Sequence, residues 1–328
     1  MKKLSVAHQF LETVKKYRLL RSKSRVLVAV SGGADSVCLL DLLRIAAPRF
    51  NLKLYGIHIN HRLRESAERD EGFVRRLFES FGTELTVVRA DVRAYARRHR
   101  LGLEEAARAL RYYHFQRLAG KLGCDTVALG HTADDNLETV ILNLVRGAGL
   151  RGLGGIPIRR EMFVRPLLEI GRQAIREYLQ ARGIEWVEDE SNEDIRFRRN
   201  LVRQQVVPVL EQLNPAVREN VLRSCALLRA EDLFLDFLAS RVLERIGVFQ
   251  RNRAVIDIKE YNDYNYILRR RMVRLLVPEL DALGVERVLD LAERGCQGRH
   301  QLKAGIDVYI TKDKLIMPIM VRRSKDGG

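Results

Sequence analysis

The sequence predicts an α/β protein with a doubly wound parallel sheet and a second, smaller domain that is mainly helical. Short β-branched runs alternate with helical patterns through the first half of the chain, which is typical of a parallel sheet with helices on both faces. Asn214-Pro215 then interrupts the helical patterns and is the strongest boundary signal. We therefore predict a first domain at residues 1–213, a second at 214–320 and a disordered tail at 321–328.

The first domain shows a succession of predicted strand–helix pairs. Each strand is a short apolar run, and each helix has apolar residues three and four positions apart. Ligands of doubly wound sheets bind at the carboxyl ends of the strands, so we expect the functional residues there. The strands are expected at residues 25–30, 52–60, 84–91 and 125–131, and the helices at residues 37–47, 66–81, 103–123 and 134–147.

The remainder of the chain is predicted to be mostly helical. After a Gly-rich loop, a helix is expected from Arg165 to about Ala181. Pro208 lies inside the next helical pattern, at residues 199–213, so that helix should be kinked or split. Later elements are one long helix or two at residues 216–246, helices at 263–277 and 284–294, a short strand at 254–258 and a hairpin formed by 307–310 and 314–320.

The chain carries 58 Lys and Arg against 42 Asp and Glu, a net charge of +16. Arginine supplies 46 of these cations, and its planar guanidinium can donate two parallel hydrogen bonds to a phosphate. A polyanionic partner, most often nucleic acid, is therefore indicated, with a generally basic surface as the alternative. No apolar run reaches the roughly 18 residues of a membrane span. The four cysteines form no zinc or disulfide pattern, so we expect a cytoplasmic protein without a membrane partner.

The most informative stretch follows the first predicted strand and reads Ser31-Gly32-Gly33-Ala34-Asp35-Ser36. Two glycines allow a tight turn with exposed amides, and the positive end of the next helix faces the same spot. This pattern predicts a cradle for pyrophosphate, and it is neither a Walker A loop nor a GxGxxG loop. Asp35 would repel the anion unless a cation accompanies it, which indicates ATP with Mg²⁺. An ordinary strand–helix turn is the alternative.

Two further segments are expected beside this cradle. His58 and Asn60 share a face at the end of the second strand, where the base and ribose of a nucleotide would bind; a plain strand-end role for His58 is the alternative. Arg108 and Arg111 lie three positions apart on the helix at 103–123, so both can point at a phosphate. For Arg108, pairing with the acidic residues one turn earlier is the alternative.

The second strong motif follows the fourth strand, at residues 129–139. Asp134 is expected at the start of the helix, as its cap or as a first-turn acid. Asp135 and Glu138 share one face of that helix, where they would hold Mg²⁺ or orient and deprotonate an amine nucleophile. Helix capping explains acids at this place, but it does not explain His131 beside them.

Two arginine-rich segments are candidates for RNA contacts. The first contains Arg199, Asn200 and Arg203 on a loop that enters a helix. The second contains Arg270 and Arg274, which share a helix face in the second domain. Clustered cations of this kind bind a phosphate backbone, whereas a solvated surface is the alternative in both cases.

Together these motifs resemble the tRNA(Ile)-lysidine synthetase family of PP-loop ATP pyrophosphatases, over about residues 20–215. The phosphate loop and the 129–139 motif are common to the PP-loop superfamily, whereas the RPLL, WxxDxSN and RNxxR segments point to this family. The matching residues are Ser31–Ser36, His58, Asn60, His61, Leu63, Arg64, Glu104, Ala107, Arg108, Arg111, Tyr112, Gly130, His131, Asp134, Asp135, Glu138, Thr139, Arg146, Gly147, Leu150, Gly152, Leu153, Arg165, Pro166, Leu167, Leu168, Trp186, Asp189, Ser191, Asn192, Arg199, Asn200, Arg203 and Pro208.

The resemblance implies a sheet of the adenine-nucleotide alpha-hydrolase-like (PP-loop) type, with an ATP-binding catalytic domain followed by a tRNA-binding domain. It implies an AMP-forming ligase in which O2 of the wobble cytidine, in the CAU anticodon of tRNA(Ile), attacks the α-phosphate of ATP and pyrophosphate leaves. L-lysine then attacks C2 through its side-chain amine, which yields lysidine and AMP. The sequence leaves open whether the protein forms a homodimer and how the acceptor end of the tRNA is held.

The resemblance also implies a role for each site residue. ATP binding is implied for Ser31, Gly32, Gly33, Ala34, Asp35, Ser36 and His58. Asp35 would lie beside Mg²⁺ or the target base, and Asp135 beside Mg²⁺. The other roles are charge stabilisation at the α-phosphate for Arg111 and His131, binding and deprotonation of the lysine ammonium for Asp135 and Glu138, and RNA binding for Arg199 and Arg203.

Three other functions remain open. A PP-loop enzyme that inserts sulfur into a tRNA base needs a cysteine pair or cluster ligands, which the cysteine spacing does not offer. An amidotransferase-type synthetase that acts on a small substrate does not need a charge of +16. A non-catalytic RNA-binding protein on an ATP-binding fold does not need Asp35, Asp135 and Glu138 together.

Overall fold

The computed structural model describes residues 5–62, 67–188 and 197–320. Within them the chain forms two compact units, one that ends at Ala226 and one that begins at Leu227. The domain boundary predicted after residue 213 stays a prediction. The predicted residues that lie outside the described ranges are Leu63, Arg64, Asp189, Ser191, Asn192 and the tail at 321–328.

The first unit is built on a six-stranded sheet. Its strands are β1 (Arg25–Ala29), β2 (Lys53–Asn60), β3 (Glu84–Arg89), β4 (Thr126–Ala128), β5 (Arg159–Arg160) and β6 (Phe163–Val164). Their order in the sheet is β3-β2-β1-β4-β6-β5. All neighbours are parallel except β5, which runs antiparallel to β6. This order confirms the predicted parallel sheet and adds a short hairpin at one edge.

Helices cover both faces of this sheet, as a doubly wound arrangement requires. They are α1 (Val6–Lys16), α2 (Ala34–Phe50), α3 (Ala67–Ser80), α4 (Val92–His99), α5 (Leu103–Leu122), α6 (Ala133–Val145), α7 (Leu150–Leu153), α8 (Arg172–Ala181), α9 (Arg198–Leu201) and α10 (Val207–Leu213). On β1, Val26 and Val28 pack with the apolar residues of α2, whereas Leu27 packs with Tyr112 and Phe115 of α5 on the opposite face. Because successive side chains of a strand point to opposite faces of the sheet, these residues belong to two separate hydrophobic cores, one on each face.

Several helices differ from the sequence prediction. α1 and α12 were not predicted, and the Gly-rich loop contains the short helix α7. The pattern did not predict α4, because only Val92 and Ala96 of its residues are buried, and two apolar residues do not reveal a helical period. The helix predicted to begin at Arg165 begins instead at Arg172, with Gly171 as its N-cap. The residues before it form turns.

The helical pattern around Pro208 is split, as predicted. α9 is followed by a π-helical turn at Val202–Val206, and α10 starts with Pro208 in its first turn. A proline in the first turn is tolerated because its missing N–H would have no partner there. A single 30-residue helix, α11 (Val217–Ile246), comes next, and the division between the two units falls within it.

The second unit combines helices with a five-stranded antiparallel sheet. After α11 it contains α12 (Ile258–Asp263), α13 (Tyr266–Leu276), α14 (Ala282–Glu293), β7 (Gly247–Gln250), β8 (Arg253–Asp257), β9 (Gly298–Gln301), β10 (Asp307–Ile310) and β11 (Lys314–Pro318). The strand order is β7-β8-β11-β10-β9. The predicted hairpin is confirmed as β10 and β11. The two outer strands were not predicted. They are four residues long each, and most of their residues are exposed, so they show no alternation of buried and exposed positions.

No helix in the described ranges combines the length and the apolar composition that a membrane crossing requires. The four cysteines are free thiols. Cys38, Cys124 and Cys225 are buried, and Cys296 is partly exposed.

Candidate functional site

Three of the predicted motifs meet at the carboxyl edge of the first unit's sheet. Because β1 lies between β2 and β4, the loop after β1 has the end of β2 on one side and the 129–139 motif on the other. The winding of the chain reverses at this point, which is where doubly wound sheets bind ligands. A cavity of about 510 Å³ opens at this edge, and its lining includes Asp35, His58, Arg111 and His131.

Serine hydroxyls hold the backbone of the phosphate loop. The Ser31 N–H donates to Ser36 Oγ at 3.1 Å, and Ser36 Oγ donates to the Gly33 carbonyl at 2.9 Å. Gly32 has a φ of +99°, a conformation that glycine adopts without strain. α2 begins at Ala34, and no side chain among the described residues caps its first N–H groups. These amides and the positive end of the helix are therefore available to an anion.

The second motif approaches the phosphate loop closely at Gly130. A Cβ atom at this position would lie 3.2 Å from backbone atoms of Asp35 and Ser36, so the glycine allows the two loops to touch. Thr132 then caps α6 in a capping box with Asp135, whose carboxylate accepts a hydrogen bond from the Thr132 N–H at 2.8 Å. The predicted Asp135 is thereby fixed beside the loop.

His58 and Asn60 line the cavity from the end of β2. His58 Nδ1 lies 2.9 Å from the Val30 carbonyl oxygen, and since a carbonyl only accepts, Nδ1 carries the proton. Burial lowers the pKa of His58, so the ring is neutral and Nε2 is left as an acceptor. The Asn60 amide donates to Glu71 Oε2 at 3.0 Å. Both side chains are therefore oriented by the protein itself.

Arg108 and Arg111 line the cavity from α5. The Arg108 guanidinium lies 5.0 Å from the centre of the Tyr112 ring. Among the described residues, neither arginine forms an ion pair with a carboxylate. The alternative in which Arg108 pairs with the acids one turn earlier is therefore not observed. Two positive charges face the cavity without a neutralising partner from this part of the chain.

Asp135 and Glu138 share one face of α6, as their spacing predicted, and both carboxylates are bound by arginines. Arg172 donates from Nη1 to Glu138 Oε1 at 2.9 Å and from Nη2 to Asp135. Arg199 donates from Nε to Glu138 Oε2 at 2.6 Å and from Nη2 to Asp135 Oδ1 at 3.1 Å. Arg203 Nε donates to Glu138 Oε1 at 2.7 Å. Three guanidinium groups thus surround two carboxylates.

The sequence did not single out Arg172. Its Nε also donates to Asp35 Oδ2 at 3.3 Å, so one guanidinium joins the phosphate loop to the acids of α6. Arg172 is the first residue of α8, where a cation opposes the helix dipole. A cation at the start of a helix is unusual and could have marked Arg172 in the sequence. The helix was predicted to begin at Arg165, however, so Arg172 did not fall in its first turn.

The buried charges of this cluster have shifted pKa values. Burial raises the pKa of Asp35 to about 6, although Arg172 opposes the shift. Burial would also raise the pKa of Asp135, but Arg172 and Arg199 hold it below its usual range. Burial lowers the pKa of His131 to about 3. The His131 ring is therefore neutral near pH 7 in this state, and its buried Nδ1 has no hydrogen-bond partner among the described residues.

The arginine cluster of the second unit lies on α13 and has acidic partners. Arg270 Nε donates to Glu286 Oε1 at 2.9 Å. Between the two predicted residues, Arg271 donates to Asp236 at 2.9 Å and also to Asp232. Arg274 also has an interaction partner. A role of Arg270 and Arg274 in RNA binding stays a prediction.

Comparison with known proteins agrees with this architecture. Residues 2–210 match the family model of the PP-loop domain. The U34-tRNA thiolase from Methanococcus maripaludis, solved with its iron–sulfur cluster, superimposes with a TM-score of 0.56 at 18% sequence identity, covering 68% of this chain and 78% of the thiolase. That likeness shows the fold alone. The sheet order, the phosphate loop and the family match define a PP-loop protein.

Two relatives narrow the class further. The chain is 39% identical over 282 residues to the tRNA(Ile)-lysidine synthase of Geobacter sulfurreducens, a match that covers 84% of this chain and 60% of that protein. It is 30% identical over 332 residues to the tRNA(Ile)-lysidine synthase of Caldanaerobacter subterraneus, with 98% of this chain and 70% of that protein covered. The chain belongs to the tRNA(Ile)-lysidine synthase family, as its motifs indicated, and spans less than two thirds of the Geobacter relative.

Proposed function

We propose that the chain attaches L-lysine to C2 of the wobble cytidine in the CAU anticodon of tRNA(Ile), with release of AMP and pyrophosphate from ATP. Family membership supports this proposal. The single observation that carries it is the meeting, at one cavity, of the phosphate loop and Asp35 with Arg111, which has no acidic partner among the described residues. Arg172 and Arg203 line the same cavity and bind the acid pair Asp135 and Glu138. These groups match the two half-reactions, adenylation of a base oxygen and attack by an amine.

The phosphate loop would bind the β- and γ-phosphates of ATP through the amides at the start of α2. Arg111 would then lie at the α-phosphate, where negative charge grows as the cytidine O2 attacks. His131 is neutral in the resting site, so it would donate a hydrogen bond instead of a full positive charge. His58 Nε2, as an acceptor, would bind an N–H or O–H donor of the nucleoside.

Mg²⁺ would suit the carboxylates beside the phosphate loop. Asp35 and Asp135 both contact the same guanidinium of Arg172, so a cation already sits between them. The described residues contain no group of three or more metal-ligating side chains, but Mg²⁺ with ATP needs only one or two carboxylates besides phosphate oxygens. We infer that Asp35 and Asp135 would hold the ion, which would neutralise phosphate charge when bound.

The acid pair would bind the lysine amine. Asp135 and Glu138 already hold cationic nitrogen atoms, those of Arg172, Arg199 and Arg203. A lysine ammonium offers the same charge, and it would take the place of one guanidinium. A carboxylate that receives the ammonium can also accept its proton before the amine attacks C2. The arginine displaced from the pair would be free to hold RNA phosphate, which reconciles the observed ion pairs with an RNA role for Arg199 and Arg203.

The remaining RNA contacts are proposals of the same kind. Asn200 is buried in α9 and lies between Arg199 and Arg203 in the sequence, so we infer that it positions them. Arg270 and Arg274 would hold the body of the tRNA from the second unit. A homodimer is also proposed. Its support is the exposure of Leu233, Phe234 and Phe237 along one stretch of α11, because apolar patches of this kind mark protein contacts.

Thiolation is the weaker candidate. None of the four cysteines is among the residues that line the cavity. Burial raises the pKa of the Cys38 thiol strongly and that of Cys124 to about 11. A thiol with a raised pKa is a poor nucleophile near neutral pH. The cysteines therefore lack the position that sulfur transfer requires, and Cys38 and Cys124 also lack the reactivity.

The test uses the chain with tRNA(Ile) that carries a CAU anticodon. We expect the Asp35→Ala variant to lose tRNA-dependent ATP–pyrophosphate exchange, while the exposed-acid control Asp313→Ala keeps it. Normal exchange in Asp35→Ala would contradict the role of Asp35. With the unaltered chain, AMP release should require lysine. Release of AMP with ammonia or a sulfur donor, but not with lysine, would overturn the proposed reaction.

A further inference from the structure

The short helix α4 carries a dense row of arginines that the proposed reaction does not use. It begins after the N-cap Asp91, and the segment exposes Arg93, Arg97, Arg98 and Arg100. We call these four residues the α4 patch. Val92 and Ala96 face the opposite way and are buried, so the cationic side chains cover the solvent side of the helix.

Within the part of the chain that the structure describes, no carboxylate pairs with any residue of the α4 patch. This contrasts with the neighbouring strand, where Arg89 donates to Glu71 at 3.1 Å. The positive charge of the patch is therefore not neutralised by its surroundings. An unpaired set of guanidinium groups is a ready ligand for an anionic polymer.

Helix stability does not explain the patch. Cations in the last turn, such as Arg97 and Arg98, complement the helix dipole, but Arg93 lies in the first turn, where a cation opposes it. Arg93 and Arg97 are also four residues apart, a spacing at which like charges repel on a helix. Arg93 thus weakens α4 slightly, and its placement fits an external ligand.

The position of α4 connects the patch to the cavity. α4 follows β3, whose last residue Arg89 pairs in register with Asn60 at the carboxyl end of β2. The helix therefore starts at the same edge of the sheet as the active site. Val92 and Ala96 pack against Ala106 of α5, the helix that also carries the cavity-lining Arg111.

We propose that the α4 patch binds the phosphate backbone of the nucleotides that flank the modified base. This inference rests on the proposed function, since a base must enter the cavity for its neighbours to cross α4. An acidic protein is the less suitable partner. Protein interfaces rely on aromatic or aliphatic anchors, and none of the large apolar side chains found exposed in the described residues lies on α4.

The test compares two triple variants in direct binding of tRNA(Ile), without ATP or lysine. Arg93→Gln/Arg97→Gln/Arg98→Gln removes three charges from the α4 patch. The matched control, Arg18→Gln/Arg21→Gln/Arg49→Gln, removes three exposed charges near the amino ends of the strands, at the opposite edge of the sheet. Affinity is measured over a series of salt concentrations, and ATP binding and thermal unfolding are recorded for both variants.

We expect the patch variant to bind tRNA at least about tenfold more weakly. The decrease of log K with log salt should also become less steep by about 2, because each phosphate contact contributes about 0.7–0.9 to that slope. ATP binding should be unchanged, and the control should match the unaltered chain. Equal losses in both variants, or no loss in the patch variant, would overturn the proposal. Since neither ATP nor lysine is present, a failure here is separate from a failure of lysine-dependent AMP release.

Discussion

Arg172 donates a hydrogen bond of 3.3 Å from its Nε to Oδ2 of Asp35, which lies 137 positions earlier in the chain. The same guanidinium binds Asp135 and Glu138. One side chain therefore joins the phosphate loop to the acids of α6. Without it, the three carboxylates would have one fewer positive charge to balance them.

Replacement of Arg172 by alanine should lower the free energy of unfolding by about 2–4 kcal/mol, because removal of one partner leaves partly buried charges uncompensated. Urea unfolding measures this loss. Arg176→Ala is the control on the same helix, and because its ion pair with Glu188 is exposed it should cost less than about 1 kcal/mol. Equal effects of the two substitutions would contradict the organising role of Arg172.

Arg111→Ala should separate function from stability. Its guanidinium has no carboxylate partner in the described ranges, so the free energy of unfolding should change by less than about 0.5 kcal/mol. The rate of adenylation should fall by about 10²-fold, because the variant loses a group that stabilises charge in the transition state. tRNA-dependent ATP–pyrophosphate exchange measures this rate. Arg165→Ala is the contrasting variant. Arg165 is 3% exposed and donates to the Pro157 carbonyl at 2.7 Å, so its loss should instead destabilise the fold.

Glu138→Gln should affect the second half-reaction more than the first. The carboxylate is placed to accept the lysine ammonium, and a neutral amide cannot take its proton. We expect lysine-dependent AMP release to fall by about 10²-fold or more, while pyrophosphate exchange with tRNA persists. Glu177→Gln, an exposed acid on α8, serves as the control. Equal losses of exchange and AMP release in Glu138→Gln would argue against a lysine-specific role.

Glu71 should make the first unit sensitive to acid. Burial would raise its pKa, but hydrogen bonds from Arg89, Asn60 and Arg75 lower it to about 2. A carboxyl group with a lowered folded-state pKa stabilises the protein above its unfolded pKa of 4.5, and this contribution is lost as the pH falls towards 2. Because the arginines are half exposed, we estimate the contribution at about 1–2 kcal/mol.

The Glu71→Gln variant should therefore be less stable than the unaltered chain at pH 6, and the difference should shrink by pH 3. Urea unfolding at the two pH values checks this. Glu79→Gln, an exposed acid on the same helix, should leave the pH dependence as it is. The free energy of unfolding of Glu71→Gln is compared with that of the unaltered chain at both pH values. If the difference is the same at pH 3 and pH 6, the ion-pair explanation is contradicted.

The sequence by itself determined most strands and helices of the first unit and the identity of its main motifs. The alternation of strands and helices, the glycines of the phosphate loop and the spacing of Asp135 and Glu138 are local features, so the periodicity and chemistry of neighbouring residues reveal them. The local pattern did not reveal α4 or the outer strands of the second sheet, because few of their side chains are buried.

Only the tertiary structure decided which charges meet. Arg172, Arg199 and Arg203 are far from α6 in sequence, and no period links them to Asp135 or Glu138. Ion pairing between distant residues depends on how helices pack around the sheet edge, which a linear pattern does not encode. For the same reason, the sequence predicted Arg199 and Arg203 only as RNA ligands. In the fold, these arginines bind Asp135 and Glu138, the carboxylates where the lysine amine is proposed to bind.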